Sequence, residues 1–226
     1  YVWNHGWYGK ESYLEKTLKK IFYMPVNGFF LYGQYAKNLM IKEGFKEHKL
    51  NVVYNSLDYE KTAEIRKAIH KTNLFENYFS NKLPVIVFIG RIQKNKKLEM
   101  LISFLKEQKL KGEIYNLVLI GEGNDKEELL NLVKSLKLDR QVWFFGACYD
   151  ESKIAELIFN ANVCVSPGNV GLTAIHSLSY GTPVITHDSF SHQMPEFEAI
   201  IPNLTGNFFE EGNLQSMIEV IENWIK

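Results

Sequence analysis

Residues 163–186 read VCVSPGNVGLTAIHSLSYGTPVIT. A short apolar run, Val163 to Val165, ends in a polar turn that contains Gly168. A helix-period stretch follows from Gly171 to Tyr180, and Pro183 to Thr186 reads as a second strand. Strand, helix and strand in so few residues form a βαβ unit, whose crossover makes the two strands parallel.

The same rhythm extends on both sides. Upstream, strands are expected at Val85 to Ile89, Leu117 to Ile120 and Val142 to Phe145. The helices between them are expected at Leu98 to Gln108, Lys126 to Leu136 and Glu151 to Asn160. Downstream, Asn207 to Phe209 is a sixth strand and Leu214 to Trp224 a closing helix. Apolar strands without polar alternation indicate a parallel sheet covered on both faces. The fold class is therefore α/β, a Rossmann-like parallel sheet over residues 83–226. Ligands of such sheets bind beyond the carboxyl ends of the strands.

Residues 1–58 have a different texture. Phe29 to Tyr32 and Asn51 to Tyr54 read as strands, with a helix at Gln34 to Glu43. A charged helix is expected from Tyr59 to His70, and 73–82 lacks a clear period, so 59–82 is expected to be a linker region. The start at Tyr1, without Met and inside an aromatic segment, leads us to expect an upstream portion.

Composition removes several classes. Lys plus Arg and Asp plus Glu both number 26, so no basic excess argues for nucleic acid or an anionic membrane as a general partner. Any bound anion must be held by a local cluster. The two cysteines, Cys148 and Cys164, show no metal-ligand spacing and suit a reducing, cytosolic setting.

Two loops on the expected ligand edge carry candidate chemistry. After the Val163 strand, Gly168 and Gly171 admit close backbone approaches, and Gly171, Leu172 and Thr173 would open a helix with free N–H groups. A helix N-terminus of that kind suits a phosphate or diphosphate, although an ordinary capped turn also favours glycine. After the Val85 strand come Gly90, Arg91, Lys94, Lys96 and Lys97. Cations before a helix oppose its dipole, and a diphosphate would explain them, with Arg91 forking two oxygens and Lys96 a point charge. Gly121-Glu122-Gly123 lacks the third glycine of a dinucleotide fingerprint, so it reads as a tight βα turn. No DxD-type acidic pair for a divalent cation is present, and this cationic set would need no metal.

In this order the motifs resemble glycosyltransferase family 4, the group 1 glycosyltransferases with the GT-B fold. The resemblance is carried by Gly90-Arg91 with Lys96, Gly121-Glu122-Gly123, Ala161 to Pro167, Gly171-Leu172, Gly181-Thr182-Pro183-Val184 and Pro195-Glu196. It implies that 1–58 is a remnant of the N-terminal acceptor-side domain and 83–226 the nucleotide-sugar-binding domain. It implies transfer of a sugar from a nucleotide-diphosphate-sugar donor to a carbohydrate or lipid-linked acceptor, in surface polysaccharide synthesis, with retention and without a metal or other cofactor. Arg91 and Lys96 would neutralise the diphosphate, and the amides of Gly171 to Thr173 would bind its distal phosphate. Gly90, Gly146, Gly168, Val170 and His176 would complete the donor site, with the base bordered by Val142 to Cys148. His5, in Trp3 to Gly6, resembles the histidine-glycine loop that faces the sugar from the acceptor side. The setting implied is cytoplasmic, with peripheral contact at the inner face of the membrane through the missing N-terminal part.

One departure stands out. The family's two glutamates, eight positions apart, fall here on Gly168 and His176. Glu196, Glu198 and Asp188 are the candidates to approach from neighbouring loops, and His187 with Asp188 sits on the ligand edge or in a capped turn. The alternatives are a nucleotide-sugar-binding protein without transfer activity, and a GT-B epimerase or phosphorylase.

Overall fold

The structure, a computed structural model, describes residues 1–225. Two parallel sheets organise it. Strands β1 (Val2–Asn4), β2 (Phe29–Leu31) and β3 (Leu50–Val52) form a three-stranded sheet in chain order. The second sheet has six strands: β4 (Val85–Ile89), β5 (Asn116–Ile120), β6 (Val142–Gly146), β7 (Val163–Ser166), β8 (Val184–His187) and β9 (Gly206–Phe209). Their spatial order is β6-β5-β4-β7-β8-β9, all pairs parallel. From β4 the chain winds outward to β6, returns beside β4 as β7 and winds the other way to β9. The switch point, where an α/β sheet leaves a crevice, thus lies between β4 and β7.

The strands alternate faces with the two-residue period of a pleated strand. Ile86, Phe88, Leu117, Leu119, Val163 and Val165 face one layer. Helices α5 (Glu99–Leu110), α6 (Lys126–Ser135) and α9 (Leu214–Ile225) close it with Leu101, Leu105, Leu129, Met217 and Ile221. Val85, Val87, Val118, Ile120, Cys164 and Val184 face the other layer. There α7 (Glu151–Asn160) and α8 (Thr173–Ser179) contribute Leu157 and Ala174. Asp150 starts α7 by accepting hydrogen bonds from the amides of Ser152 and Lys153 at 3.0 and 3.3 Å. Burial pushes the Cys164 thiol up to about 12, so it behaves as a small apolar side chain.

The region expected as a linker contains the charged helix expected from Tyr59 and, in the stretch read as lacking a period, a second helix. It holds α3 (Tyr59–Ala68) and α4 (Leu74–Phe79), and Phe75 and Phe79 of α4 are buried against Val85 and Leu157. The six residues of α4 are too few to show a helical period. Two further elements went unread, β1 and α1 (Tyr13–Tyr23), which starts on a capping box of Ser12 and Glu15. Among its residues none is buried; Tyr13, Leu14, Leu18 and Phe22 are exposed, while Lys16 and Lys20 pair with Glu43.

The two sheets meet along one seam. Helix α2 (Gln34–Lys42) begins at Gly33, where an added Cβ would lie 2.4 Å from Glu198 Oε1. Both carboxylate oxygens of Glu198 accept hydrogen bonds there, from the Gln34 and Tyr35 amides at 2.7 Å each. These satisfy orphan donors of α2 with a charge its dipole favours. Tyr35 then packs edge-on against Phe190 and Phe197.

Removal of this cap has a measurable consequence. Each hydrogen bond to a charged group is worth about 1.5–3 kcal/mol, less where water competes. With water competing at this part-exposed cap the net loss is about 2 kcal/mol, so Glu198→Ala is expected to lower the thermal unfolding midpoint by roughly 4–8 °C, at about 2–4 °C per kcal/mol for this size. Differential scanning calorimetry checks this, and an unchanged midpoint would show that the seam does not depend on Glu198.

Candidate functional site

The loop from Gly90 to Lys97 leaves β4 and lies across the end of the sheet, seated on three glycines. A Cβ on Gly121 would stand 1.9 Å from the Gly90 carbonyl oxygen, on Gly123 1.9 Å from that of Ile92, and on Gly168 1.9 Å from that of Asn95. No side chain fits at any of the three. Backbone hydrogen bonds fix the same contacts: Ile92 donates to the Glu122 carbonyl and Gly168 to that of Lys96, both at 2.9 Å. The Gly121-Glu122-Gly123 element is therefore a packing turn for this loop, in keeping with its sequence reading.

Within the loop a single 3₁₀ turn, Lys94–Lys96, ends at Lys97 in the left-handed region (φ 52°) and aims the cations in different directions. Arg91 is exposed and, among the described residues, has no hydrogen-bond or ion-pair partner. Lys96 is half-buried, and its Nζ donates to Asn169 O at 2.6 Å and Asn169 Oδ1 at 2.8 Å. Burial lowers its pKa, and the nearby charge of Glu196 opposes that shift. Lys97 needs no ligand to explain it, because its Nζ pairs with Glu211 at 2.8 Å.

Opposite, across the switch point, stands the turn after β7. Gly168 takes no side chain because the Asn95 carbonyl occupies the place. At Gly171 an added Cβ would meet only Met194, at 3.8 Å, so here the sequence argument for a blocked Cβ fails. Helix α8 starts at Thr173 rather than Gly171. Among the described residues the amides of Gly171, Leu172 and Thr173 donate to no protein acceptor. The Val170 amide is not available in that way, since it donates to Gln193 Oε1 at 2.8 Å. Gln193 Nε2 in turn donates to Thr186 Oγ1 and His187 O, and Thr186 Oγ1 donates to the Ser166 and Gly168 carbonyls. This buried network sets the turn, and nothing in the sequence marked Gln193 for it. Thr173 Oγ1 ties α8 back to Ile89 O at 2.8 Å.

His176 lies one turn into α8. Its Nε2 is 2.7 Å from Glu151 Oε1, which also accepts from Tyr180 OH at 2.5 Å. Burial and then Glu151 push the Tyr180 hydroxyl pKa up. A carboxylate thus reaches position 176 indirectly, from the start of α7. Gly146 (φ 91°) ends β6, two strands from β4, and its carbonyl accepts from Gly121 at 2.8 Å.

His5 comes from the other side of the seam. It follows β1, its ring centroid lies 4.9 Å from that of Tyr32, and its Nδ1 is buried without a hydrogen-bond partner among the described residues. The seam space lined by His5, Tyr8, Tyr35, Pro195 and Glu198 measures about 10 Å³. A cavity of about 530 Å³ lies elsewhere, between α5 and α6 around Leu98 and Leu132, and of the cationic loop only Lys94 lines it.

The three carboxylates expected near the site have different fates. Glu198 caps α2. Asp188 accepts from the Glu211 amide at 3.2 Å, and the His187 ring nitrogen Nδ1 from the Ser189 amide at 3.2 Å, so this pair forms a capped turn. Glu196 is 6% exposed; its Oε1 accepts from Asn55 Nδ2 at 2.8 Å, while Oε2 is buried without a partner among the described residues.

Comparison with known proteins bears on this arrangement. The sequence model of the family described as glycosyl transferases group 1 matches residues 70–226. The chain is 28% identical over 179 residues to the N-acetylgalactosamine-N,N'-diacetylbacillosaminyl-diphospho-undecaprenol 4-alpha-N-acetylgalactosaminyltransferase of Campylobacter jejuni, covering 79% of this chain and 45% of that protein. It is 29% identical over 174 residues to the O-antigen biosynthesis glycosyltransferase WclY of Escherichia coli, covering 76% and 45%. Anabaena Alr3699/HepE, solved in complex with UDP, superposes with a TM-score of 0.75 at 16% identity, over 99% of this chain and 62% of that one. The chain spans about half the length of the curated relatives it matches. The fold is that of the GT-B glycosyltransferases.

Two outcomes follow from this geometry. Gly168→Ala must displace the loop bearing Lys96, and overpacking of this kind costs about 1–3 kcal/mol. Its unfolding midpoint is expected to fall by roughly 2–12 °C in calorimetry. The second concerns Glu211: burial would raise its pKa, but hydrogen bonds from Lys97, His192 and Ser189 bring it down to about 2. Its ionised form therefore stabilises the fold above the ordinary carboxylate range, about pH 4.3, and that contribution is lost as pH falls towards 2. The midpoint gap between wild type and Glu211→Gln should be full at pH 7 and shrink across that window.

Proposed function

The chain belongs to the group 1 glycosyl transferases, and on that premise we propose that it is the donor-binding part of an enzyme that transfers a sugar from a nucleotide-diphosphate-sugar to a carbohydrate or lipid-linked acceptor in surface polysaccharide synthesis. One observation carries this reading: at the switch point between β4 and β7, Lys96 Nζ reaches across to Asn169 in the turn after β7, and the exposed Arg91 on the β4 loop and the amides of Gly171 to Thr173 on the β7 turn have no protein partner among the described residues. Loops from two adjacent strands thereby offer fixed positive charge and N–H donors, which is what a diphosphate requires.

In this reading the base and ribose lie towards Gly146 and His176, and Glu151 fixes the His176 ring so that its Nδ1 faces a ribose hydroxyl. As the bond to the donor sugar breaks, negative charge grows on the diphosphate. Arg91, Lys96 and the amides stabilise that charge more in the transition state than in the ground state, which lowers the barrier. His5 faces the sugar from across the seam. No step draws on a metal, so a chelator should leave nucleotide affinity unchanged. Retention at the anomeric carbon is part of the proposal, and the anomeric signal of the product by NMR tests it. The setting is cytoplasmic with peripheral contact at the inner membrane face, which cell fractionation tests; no described helix is long and apolar enough to cross a membrane. A binding protein without transfer activity is the second reading, favoured by the absence of room for a side chain at Gly168.

Calorimetric titration with UDP, GDP and ADP tests the donor site. One nucleotide is expected to bind, and Arg91→Ala should weaken it roughly ten- to hundredfold, the worth of one charged hydrogen bond. UDP is the first choice because Alr3699/HepE was solved with it. Undiminished affinity in the variant would remove Arg91 from the site, and no binding of any nucleotide would sink the donor reading.

A further inference from the structure

Two positions define what this site lacks. Gly168 admits no side chain, since a Cβ there would lie 1.9 Å from the Asn95 carbonyl oxygen, and position 176 carries an imidazole. Any carboxylate that touches the donor sugar must come from elsewhere.

The nearby carboxylates can be sorted by what already holds them. Glu198 spends both oxygens on the amides of Gln34 and Tyr35. Asp188 is bonded to the Glu211 amide, and Glu211 to Lys97 and His192. Glu151 holds His176 and Tyr180, and Glu11 holds Lys19 with the amides of Tyr8 and Gly9. Glu196 differs from all of these. It sits on the 3₁₀ turn Pro195–Ala199, and Asn55 Nδ2 fixes Oε1 at 2.8 Å, which orients the whole carboxylate. Its Oε2 is buried and has no hydrogen-bond partner among the described residues. A buried, unpaired carboxylate oxygen carries a desolvation penalty that a hydrogen-bond donor would remove.

Its surroundings identify the donor. The charge of Glu196 is felt by Lys96, on the diphosphate side, and by Tyr8, on the acceptor-side part. The residue just before the turn, Met194, is the neighbour of Gly171, whose amide is free. Glu196 therefore lies between the phosphate-binding loops and the loop of His5 to Tyr8. His5 Nδ1, on the same seam, is another buried polar atom without a partner among the described residues.

Resting on the donor site proposed above, we propose that Glu196 reads the donor sugar: its Oε2, held in place through Oε1 by Asn55, accepts a hydrogen bond from a hydroxyl of the hexosyl group attached to the diphosphate at Lys96. The seam parts to admit the sugar, and the sugar hydroxyl then pairs an oxygen that is otherwise buried alone. An anionic acceptor makes this bond stronger than a neutral one would. It also rejects sugars that lack the hydroxyl or hold it in the other configuration, because the carboxylate then stays unpaired.

The test compares bare nucleotide with sugar nucleotide in calorimetric titrations of the full chain. The panel is UDP, UDP-glucose, UDP-galactose, UDP-N-acetylglucosamine, GDP and GDP-mannose. Wild type is expected to bind one sugar nucleotide more tightly than its bare nucleotide. Glu196→Gln, which turns an acceptor into a donor at nearly constant shape, should lower that sugar-nucleotide affinity about tenfold or more while bare-nucleotide affinity stays within about twofold. Asn55→Ala, which removes only the orienting bond, should keep most of the sugar's increment. Equal losses for sugar nucleotide and bare nucleotide in Glu196→Gln would make its role structural and overturn the proposal. So would an unchanged sugar-nucleotide affinity, which would leave the carboxylate to the acceptor, or a wild type to which no sugar adds affinity. If wild type binds no nucleotide at all, the donor site itself falls, an outcome distinct from the others.

Discussion

Three glycine Cα atoms support the loop from Gly90 to Lys97, and most of the site follows from that contact. Gly121, Gly123 and Gly168 sit directly beneath the carbonyls of Gly90, Ile92 and Asn95, so close that a methyl group would overlap each oxygen. The loop can therefore lie flat across the sheet end, and its own amides hydrogen-bond to the strand ends below. Lys96 is carried to Asn169 on the opposite side of the crevice, and Arg91 is left outside. A longer side chain at any of the three positions would lift the loop and separate the two halves of the crevice.

The same contact explains the unusual occupant of position 168. The Asn95 carbonyl takes the space in which a glutamate side chain would begin. The carboxylates that remain are distributed by their partners: each has found amides, hydroxyls or cations, because an ionised group without them is expensive to bury. Glu151 serves His176 and Tyr180, and Glu198 serves the start of α2. Among the described residues Glu196 keeps one oxygen unpaired, which sets it apart from the structural carboxylates around it.

Much of the architecture was legible because apolar periodicity is a local property. The strands from Val85 to Ile89 and Val163 to Val165 are continuous apolar runs rich in β-branched residues, and each ends in glycine or a polar turn. Their order, spacing and intervening helices required nothing beyond the chain itself. Elements that depend on distant partners were harder to see. Helix α4 is too short for a period and is held by burial of Phe75 and Phe79 under another segment. Strand β1 exists because Phe29 to Leu31 pairs with it.

In the site the division is similar. Arg91, Lys96 and the turn from Gly168 to Thr173 were readable as residues at the ends of neighbouring strands, where parallel topology brings loops to one edge. Which of their groups are free could not be read. The Val170 amide is claimed by Gln193, Lys97 by Glu211, and His176 by Glu151, and each partner is distant in sequence. The sequence by itself determined the sheet, the edge at which its loops gather and the cationic loop after Val85 to Ile89, because strand and helix periods and glycine punctuation act between near neighbours. Only the tertiary structure decided which carboxylates are occupied and which oxygen is left over, because hydrogen-bond pairing in a buried seam is settled by geometry between segments, not within them.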